Sequence, residues 1–304
     1  MNSRQAQFAI HLTALLFGLT GIFGELIQAS ATLITAGRAL FATAALLLFI
    51  GHGGHRIVLP PRRSWRVLGL AGVLLAIHWT SFFVAVKVGG IAIATLGFAS
   101  FPAFITLLEG VVFHERTRPS EWLVVGLVTL GLVLVTPSFD FRDQATIGLA
   151  WGVLSGLAFA LFTLANRKAV AHMQGRELAC WENLIVAALT LPWCFQEFTS
   201  LRPLDWLWIF MLGVFCTALS HALLVSSLAR LNARTAGIVI ALEPVYAIAF
   251  AAILFAQYPS ARALAGGALI IGAIVWSGLR RANPESDATI APASATTSKA
   301  PSPD

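Results

Sequence analysis

Apolar residues run through this chain in ten blocks of bilayer-crossing length, separated by short connectors. A spanning helix needs about 20 apolar residues, within a range of about 17–25. The blocks fall at approximately 6–27, 31–50, 65–87, 90–113 and 120–136, then at 145–166, 177–196, 205–228, 234–256 and 260–279. Glycine, proline or charge marks several connectors, as in Gly51-His52-Gly53-Gly54, Pro60-Pro61-Arg62-Arg63, Pro137-Ser138 and Arg202-Pro203. The pattern predicts an all-α polytopic membrane protein of ten transmembrane helices. The first block follows Arg4 in the manner of a secretory signal, but it is too long for one and shows no small-residue cleavage site. From Ala282 to Asp304 the sequence turns to Ala, Pro, Ser and Thr, a composition that cannot bury enough surface to fold and predicts a disordered tail.

Lysine and arginine on alternate sides of these blocks give the orientation. The side holding the N-terminus carries fifteen of them, including Arg56, Arg62, Arg63, Arg66, Arg116, Arg118, Arg167 and Lys168. The other side carries four, Lys87, Arg142, Arg202 and Arg262. That bias predicts cytoplasmic termini in a cytoplasmic (inner) membrane protein. Two halves of five helices must then enter the membrane in opposite senses, which predicts inverted repeats at 1–136 and 137–281 and a tail at 282–304.

The halves also echo one another in sequence. At an offset of 142, Ala94 falls on Ala236, Ala99 on Ala241, Pro102 on Pro244, Phe104 on Tyr246 and Phe113 on Phe255. Offsets of 140 and 141 continue the register through Pro119-Ser120 on Pro259-Ser260 and Gly126 and Gly131 on Gly267 and Gly272. Pro102 and Pro244 each stand in the interior of an apolar block, where proline removes an N–H and crowds a carbonyl, so both helices are expected to kink. In lipid a freed carbonyl is tolerated only against protein or a water-filled cavity, which places a pathway between the halves.

Composition agrees: 58% of residues are hydrophobic and 11% charged, with a mean hydropathy of +0.81, far from the about 25% charge of a soluble domain. The net charge of +6 comes mostly from the connectors and needs no nucleic acid to explain it. Cys180, Cys194 and Cys216 lie in apolar runs without metal or disulfide spacing and read as packing residues.

Ionisable residues inside spans are costly and are candidates for function. Glu243 is the deepest, either a ligand or proton carrier or a side chain that satisfies the backbone at the Pro244 kink. Arg38 and Glu25 flank the first hairpin, where an ion pair or substrate contact would account for them. Glu109 and Glu182 fall nearer cytoplasmic ends, where snorkelling or loop pairing is expected. His78-Trp79 and Ser220-His221 occupy comparable parts of the third and eighth blocks, to bind substrate or to hydrogen-bond another helix. Phe98, Phe101 and Phe104 add an aromatic stripe beside Pro102. Gly126 and Gly131, with Gly266, Gly267 and Gly272, allow close approach of the fifth and tenth helices, within the monomer or across a homodimer face. The chain shows no zinc helix at His114-Glu115-Arg116, no nucleophile elbow at Gly152-Val153-Leu154-Ser155-Gly156 and no phosphate-binding loop, so an ATP-driven pump of the usual kind is excluded and no cofactor is expected.

Leu242-Glu243-Pro244-Val245-Tyr246-Ala247, Phe113-His114-Glu115-Arg116, Arg38-Ala39-Leu40 and the five-plus-five layout together resemble the drug/metabolite transporter superfamily, EamA type, over nearly everything but the tail. Three positions depart from that pattern: Phe17-Gly18 stands where Trp-Gly is frequent, Gln257 is the counterpart of Glu115, and Phe101 is the counterpart of Glu243. The resemblance implies export or exchange of a small metabolite, amino-acid-like or amphipathic, by alternating access, in a protein that is not an enzyme. The other reading is a non-transporting membrane protein on the same scaffold, a sensor or an intramembrane enzyme. Candidate substrate-binding or coupling residues are Glu243, Pro244, Tyr246, His78, Trp79, Phe101, Pro102, His221 and Arg38.

Overall fold

The computed structural model describes residues 3–52, 59–62, 64–112, 119–136, 138, 140–169, 175–228, 230–231, 236 and 239–280. The regular structure among them is helical: α1 (Ser3–Leu26), α2 (Ala31–His52), α3 (Trp65–Phe98), α4 (Phe101–Val112), α5 (Pro119–Val135), α6 (Gln144–Ala169), α7 (Gly175–Cys194), α8 (Pro203–Gly213), α9 (Ser220–Leu228), α10 (Glu243–Phe255) and α11 (Ala261–Arg280). Seven of the helical stretches are long and apolar enough to cross a membrane, and α5 and α10 are shorter apolar helices. The tail expected after residue 281 lies outside the described residues.

Helices pair along their length as α3 with α6, α2 with α7, α5 with α11, and α1 with α9 and α10. The α3–α6 pair is the closest because glycine lines both faces. Gly148, Gly152 and Gly156 stand one turn apart on α6 and meet Gly89, Gly97 and the backbone after Gly97. A Cβ at Gly152 would lie 2.9 Å from the Ala94 carbonyl oxygen, and one at Gly156 2.9 Å from that of Phe98. Lipid tails are as apolar as leucine, so such backbone-to-backbone packing, rather than hydrophobic burial, is what holds membrane helices together. Gly131 and Gly266 make a second contact of this kind between α5 and α11, inside the chain, whereas Gly126 and Gly272 meet nothing within 4 Å.

Two breaks shape the interior. The first is Gly90, whose φ of 81° belongs to the left-handed region that side chains disfavour. It divides Trp65–Phe98 into a long segment and a short one and reverses the chain in a single residue, near the junction expected between 87 and 90. The second feature corrects an expectation. Pro102 and Pro244 do not kink continuous helices: the backbone stops at Ala99-Ser100 and at Ala241-Leu242, and the prolines are the second residues of the helices that restart, α4 and α10. A proline there removes an N–H that has no intrahelical partner in any case, and its fixed φ suits the first turn. At the first break the Ser100 hydroxyl donates to the Gly97 carbonyl (2.7 Å), and the Ser100 carbonyl accepts from the N–H groups of Ala103 and Phe104. Leu242 serves the second in the same way, its carbonyl accepting from Tyr246 N–H at 3.1 Å.

The glycine contacts give a measurable consequence. Gly148→Ala forces a methyl into the backbone of Gly89, which cannot rotate aside, and overpacking of this kind costs ~2 kcal/mol. Thermal unfolding in detergent should fall by about 5 °C for this variant and stay within about 1 °C of wild type for Gly126→Ala, which enters open space.

Candidate functional site

The elements enclose a cavity of about 260 Å3, to which α1, α2, α3, α4, α6, α7, the α8–α9 segment and α10 all contribute. Its walls are mostly apolar and aromatic. Phe98, Phe101, Phe159 and Phe162 form a continuous ring cluster, with Phe98 stacked on Phe101 at 5.1 Å and Phe159 set edge-on to both. Phe17 and Thr20 of α1 also line it, so the residue standing in place of the frequent Trp-Gly tryptophan is itself a cavity residue.

Arg38 enters from α2 and is 6% exposed. Its guanidinium lies 4.0 Å from the centroid of the Trp79 ring, and its Nε donates to Thr217 Oγ1 at 2.7 Å. A cation over an indole face is attracted by the ring quadrupole, and the attraction grows as water is excluded. Thr217 is available because the chain between α8 and α9 widens into a π-type turn over Val214–Leu219. There its hydroxyl donates to the Leu212 carbonyl, five residues back, at 2.9 Å and still accepts from Arg38. Such turns are frequent at functional sites. Gly213 lets this segment lie directly on α2, since a Cβ there would sit 2.7 Å from the Arg38 carbonyl oxygen.

His78 is held by α6. Its Nδ1 lies 2.7 Å from Ser155 Oγ, and Ser155 Oγ donates to the His78 carbonyl at 3.0 Å. With that hydroxyl hydrogen committed, Nδ1 carries the proton and donates to Ser155, which leaves Nε2 as an acceptor. The helix-to-helix hydrogen bond and the cavity position are therefore both real for this residue, which also packs on Phe98 and Phe159 at 5.0 and 4.9 Å. His221 lines the same cavity from α9.

Glu243 is the first residue of α10 and faces the cavity where that helix restarts. The unpaired N–H groups of a helix N-terminus favour a carboxylate at that point. Among the described residues Arg38 forms no ion pair within 4.0 Å with Glu243, so these two cavity side chains are not directly joined to each other. Phe101, the first residue of α4, is the counterpart of Glu243 in position as well as in sequence.

Three of the residues expected at the site do not line it. Pro102 and Pro244 lie behind their helix starts, and Tyr246 points toward α1, packing with Ile10 and Ala14, where Gly18 leaves room for its Cβ. The expected Glu25–Arg38 pair is also absent. Glu25 stays at the end of α1, where its Oε1 accepts from Gln257 Nε2 at 3.4 Å, and Lys87 Nζ donates to the Glu25 and Ile27 carbonyls at 3.4 and 2.6 Å. Arg38 is aimed inward, about two turns into α2, and takes Trp79 and Thr217 instead. Gln257 has a place of its own, its Oε1 accepting from Ile91 N–H at 3.5 Å beside the Gly90 turn. Glu182, expected near a membrane surface, is 4% exposed and lines the cavity with Asn183, and Cys216 does so as well. Position along the block gave Glu182 away poorly; its adjacency to Asn183, two polar residues in an apolar run, was the available signal.

Thr217→Val keeps the shape of the side chain and removes the hydrogen-bond acceptor of a buried cation, a loss of about 2 kcal/mol. Its thermal midpoint in detergent should drop by about 5 °C, while Thr217→Ser, which keeps the hydroxyl, should drop by less than half as much.

Comparison with known proteins agrees with this architecture. The model of the EamA-like transporter family matches residues 5–136 and again 146–279. An uncharacterized transporter of Archaeoglobus fulgidus is 26% identical over 272 residues, which cover 90% of this chain and 96% of that protein. The S-adenosylmethionine uptake transporter of Rickettsia felis is 23% identical over 79% of this chain and 80% of its own, and the pseudopaline exporter CntI of Pseudomonas aeruginosa is 23% identical over 82% and 87%. A crystal structure with 20% sequence identity shares the fold at a TM-score of 0.64, over 91% of this chain and 98% of that one. With two matches that together span nearly all of its apolar sequence, the chain belongs to the EamA-like transporter family.

Proposed function

We propose that this protein is a secondary transporter that exports or exchanges a small amino-acid-like or amphipathic metabolite across the cytoplasmic membrane by alternating access. The observation that carries the reading is the cavity itself: Arg38, without an ion pair, and the carboxyl residue Glu243 among aromatic walls, enclosed by helices of both halves. A zwitterion with an apolar body matches that set. Arg38 offers N–H donors to a carboxylate, Glu243 an acceptor to an ammonium group, and Phe98, Phe101, Phe159 and Trp79 apolar surface. Relatives are named as an uptake transporter and as an exporter, opposite directions on one scaffold.

Alternating access is supported by how the two halves share the site. At the offset of 142, Phe17 corresponds to Phe159, Thr20 to Phe162, Phe98 to Ile240 and Phe101 to Glu243, and every one of these eight residues lines the cavity. The helix breaks at Ala99-Ser100 and Ala241-Leu242 keep the same offset. We therefore read the chain as ten membrane helices in two inverted five-helix repeats, with both termini cytoplasmic and the broken fourth and ninth helices bending as the halves rock. Cysteines placed at positions 55 and 140 should label from opposite sides of the membrane in intact cells and inverted vesicles. Labelling of both from one side overturns the topology.

The function is tested through its two charged residues. Cells that overexpress the protein should accumulate at least one metabolite in the medium about tenfold over empty-vector cells, and accumulation inside instead would reverse the direction. Arg38→Ala and Glu243→Gln, at equal protein level, should bring it back to the empty-vector value. In proteoliposomes given that metabolite, a proton-carrying Glu243 requires the Gln variant to lose pH-driven accumulation and keep counterflow, whereas a ligand role requires both to fail. Normal uphill transport with unchanged pH dependence in Glu243→Gln would leave this carboxyl a structural residue at a helix start.

A further inference from the structure

The cavity has a second polar region, on its α2–α6–α7 side, that the reading above does not use. Glu182 and Asn183 of α7 are each 4% exposed, and Thr43 of α2 is 7% exposed. Thr43 stands one turn before Leu46, which clusters with Ala179 one turn before Asn183, so antiparallel register brings Thr43 to the level of this pair. Asn166 of α6 reaches the same place, since its side chain hydrogen-bonds Glu182.

Four buried oxygen atoms here have no hydrogen-bond partner among the described residues: Glu182 Oε1, Asn183 Oδ1, Asn166 Oδ1 and Thr43 Oγ1. The amide orientations are fixed by chemistry. Asn183 Nδ2 donates to the Ala179 carbonyl at 2.7 Å, so its oxygen must point elsewhere. Asn166 meets a carboxylate and must present its amide N–H to it, which turns its own oxygen away. The result is a cluster of three acceptor oxygens and one hydroxyl, and Arg38, the cation of the same cavity, forms no ion pair with Glu182. Unpaired carboxyl and amide oxygens in a buried site are expensive. A proton placed on Glu182 supplies a single O–H donor and so serves at most one of the other three oxygens. A positive group seated between them satisfies them together.

We infer that Glu182, Asn183, Asn166 and Thr43 form a subsite for one small monovalent cation, either Na+ or the primary ammonium group of a cargo molecule. Both are hard cationic partners for oxygen, and three acceptor oxygens with a hydroxyl match either the three N–H donors of an ammonium or part of a sodium coordination shell. Glu182 and Asn183 line the same cavity as Arg38 and Trp79, and Glu182 is not ion-paired with Arg38, so the two polar groups are open to separate parts of a ligand or to two ligands. The subsite does not depend on the transport reading, because its test measures binding alone.

The test is thermal unfolding of the purified full-length protein in detergent at constant ionic strength, with choline chloride replaced stepwise by NaCl or by methylammonium chloride up to about 100 mM. Choline is the control, since it is bulky and has no N–H to donate. Wild type should rise saturably by about 3 °C with one cation, as expected for a ligand that binds the folded state. A response to Na+ alone identifies an ion site, and a response to methylammonium identifies a site for a cargo amine. Glu182→Gln supplies the missing donor within the chain, so it should match or exceed the wild-type midpoint in choline and lose the cation response. Thr43→Val, which keeps the shape and removes one oxygen, should raise the half-saturating concentration at least threefold, and it decides the matter if Glu182→Gln does not fold. A wild type that responds to neither cation beyond choline, or a response that survives unchanged in the variants, overturns the proposal and leaves these oxygens to water.

Discussion

A bilayer supplies no hydrogen bonds to a broken backbone, and that constraint organises this molecule. Each helix break at mid-membrane exposes carbonyl and N–H groups that must find partners in protein or in a polar cavity. The chain turns at Gly90, between two apolar blocks, and breaks inside blocks at Ala99-Ser100 and at Ala241-Leu242, and it answers each locally. Gln257 serves the Gly90 turn, the Ser100 hydroxyl and carbonyl serve the second break, and the Leu242 carbonyl serves the third. The last two breaks then leave the starts of α4 and α10 facing one cavity, with Phe101 and Glu243 as their first residues.

Burial of Arg38 depends on the same logic applied to a side chain. An isolated guanidinium inside a membrane protein is tolerable when it is desolvated against an aromatic face and hydrogen-bonded through a planar edge. Trp79 supplies the face and Thr217 the acceptor. The acceptor exists because the π-type turn at Val214–Leu219 rotates Thr217 relative to a regular helix and gives its hydroxyl the Leu212 carbonyl to bond. Close approach of α8 to α2, permitted by Gly213, brings the two together. The arginine is thus positioned without an acidic side chain in ion-pair contact.

Glycine plays two separate physical parts in this fold. At Gly90 it supplies a backbone conformation, and on α6 it supplies absence of volume. The run Gly148, Gly152, Gly156 lets α6 lie against α3 so closely that the Phe98 carbonyl, at the edge of the Ala99-Ser100 break, rests on α6 rather than on lipid. Packing and hydrogen-bond satisfaction are therefore one problem here. The same crossing brings Ser155 onto His78 and Phe159 onto Phe98, and so builds one wall of the cavity.

Much was legible in the sequence because bilayer thickness imposes a length on apolar runs. That constraint acts on each run separately and so predicts membrane helices without knowledge of their neighbours. The offset of 142 likewise marked Phe101 and Glu243 as equivalent, and they do share the cavity. What the sequence left open depended on where side chains meet. Proline at 102 and 244 fixed that the helix was disturbed, but a kink and a break two residues earlier remove the same hydrogen bond, and only the packed backbone chose the break. Arg38 had Glu25 as its nearest acidic residue along the hairpin, yet rotation of α2 against α3 and α8 turned it inward to Trp79 and Thr217. Glu182 stood near the end of its block by position, and the pairing of α7 with α2 buried it. Length and periodicity belong to single helices and can be read from one chain in order; the rotation of a helix about its axis is decided by its neighbours, and that rotation is what places each polar side chain in the cavity or outside it.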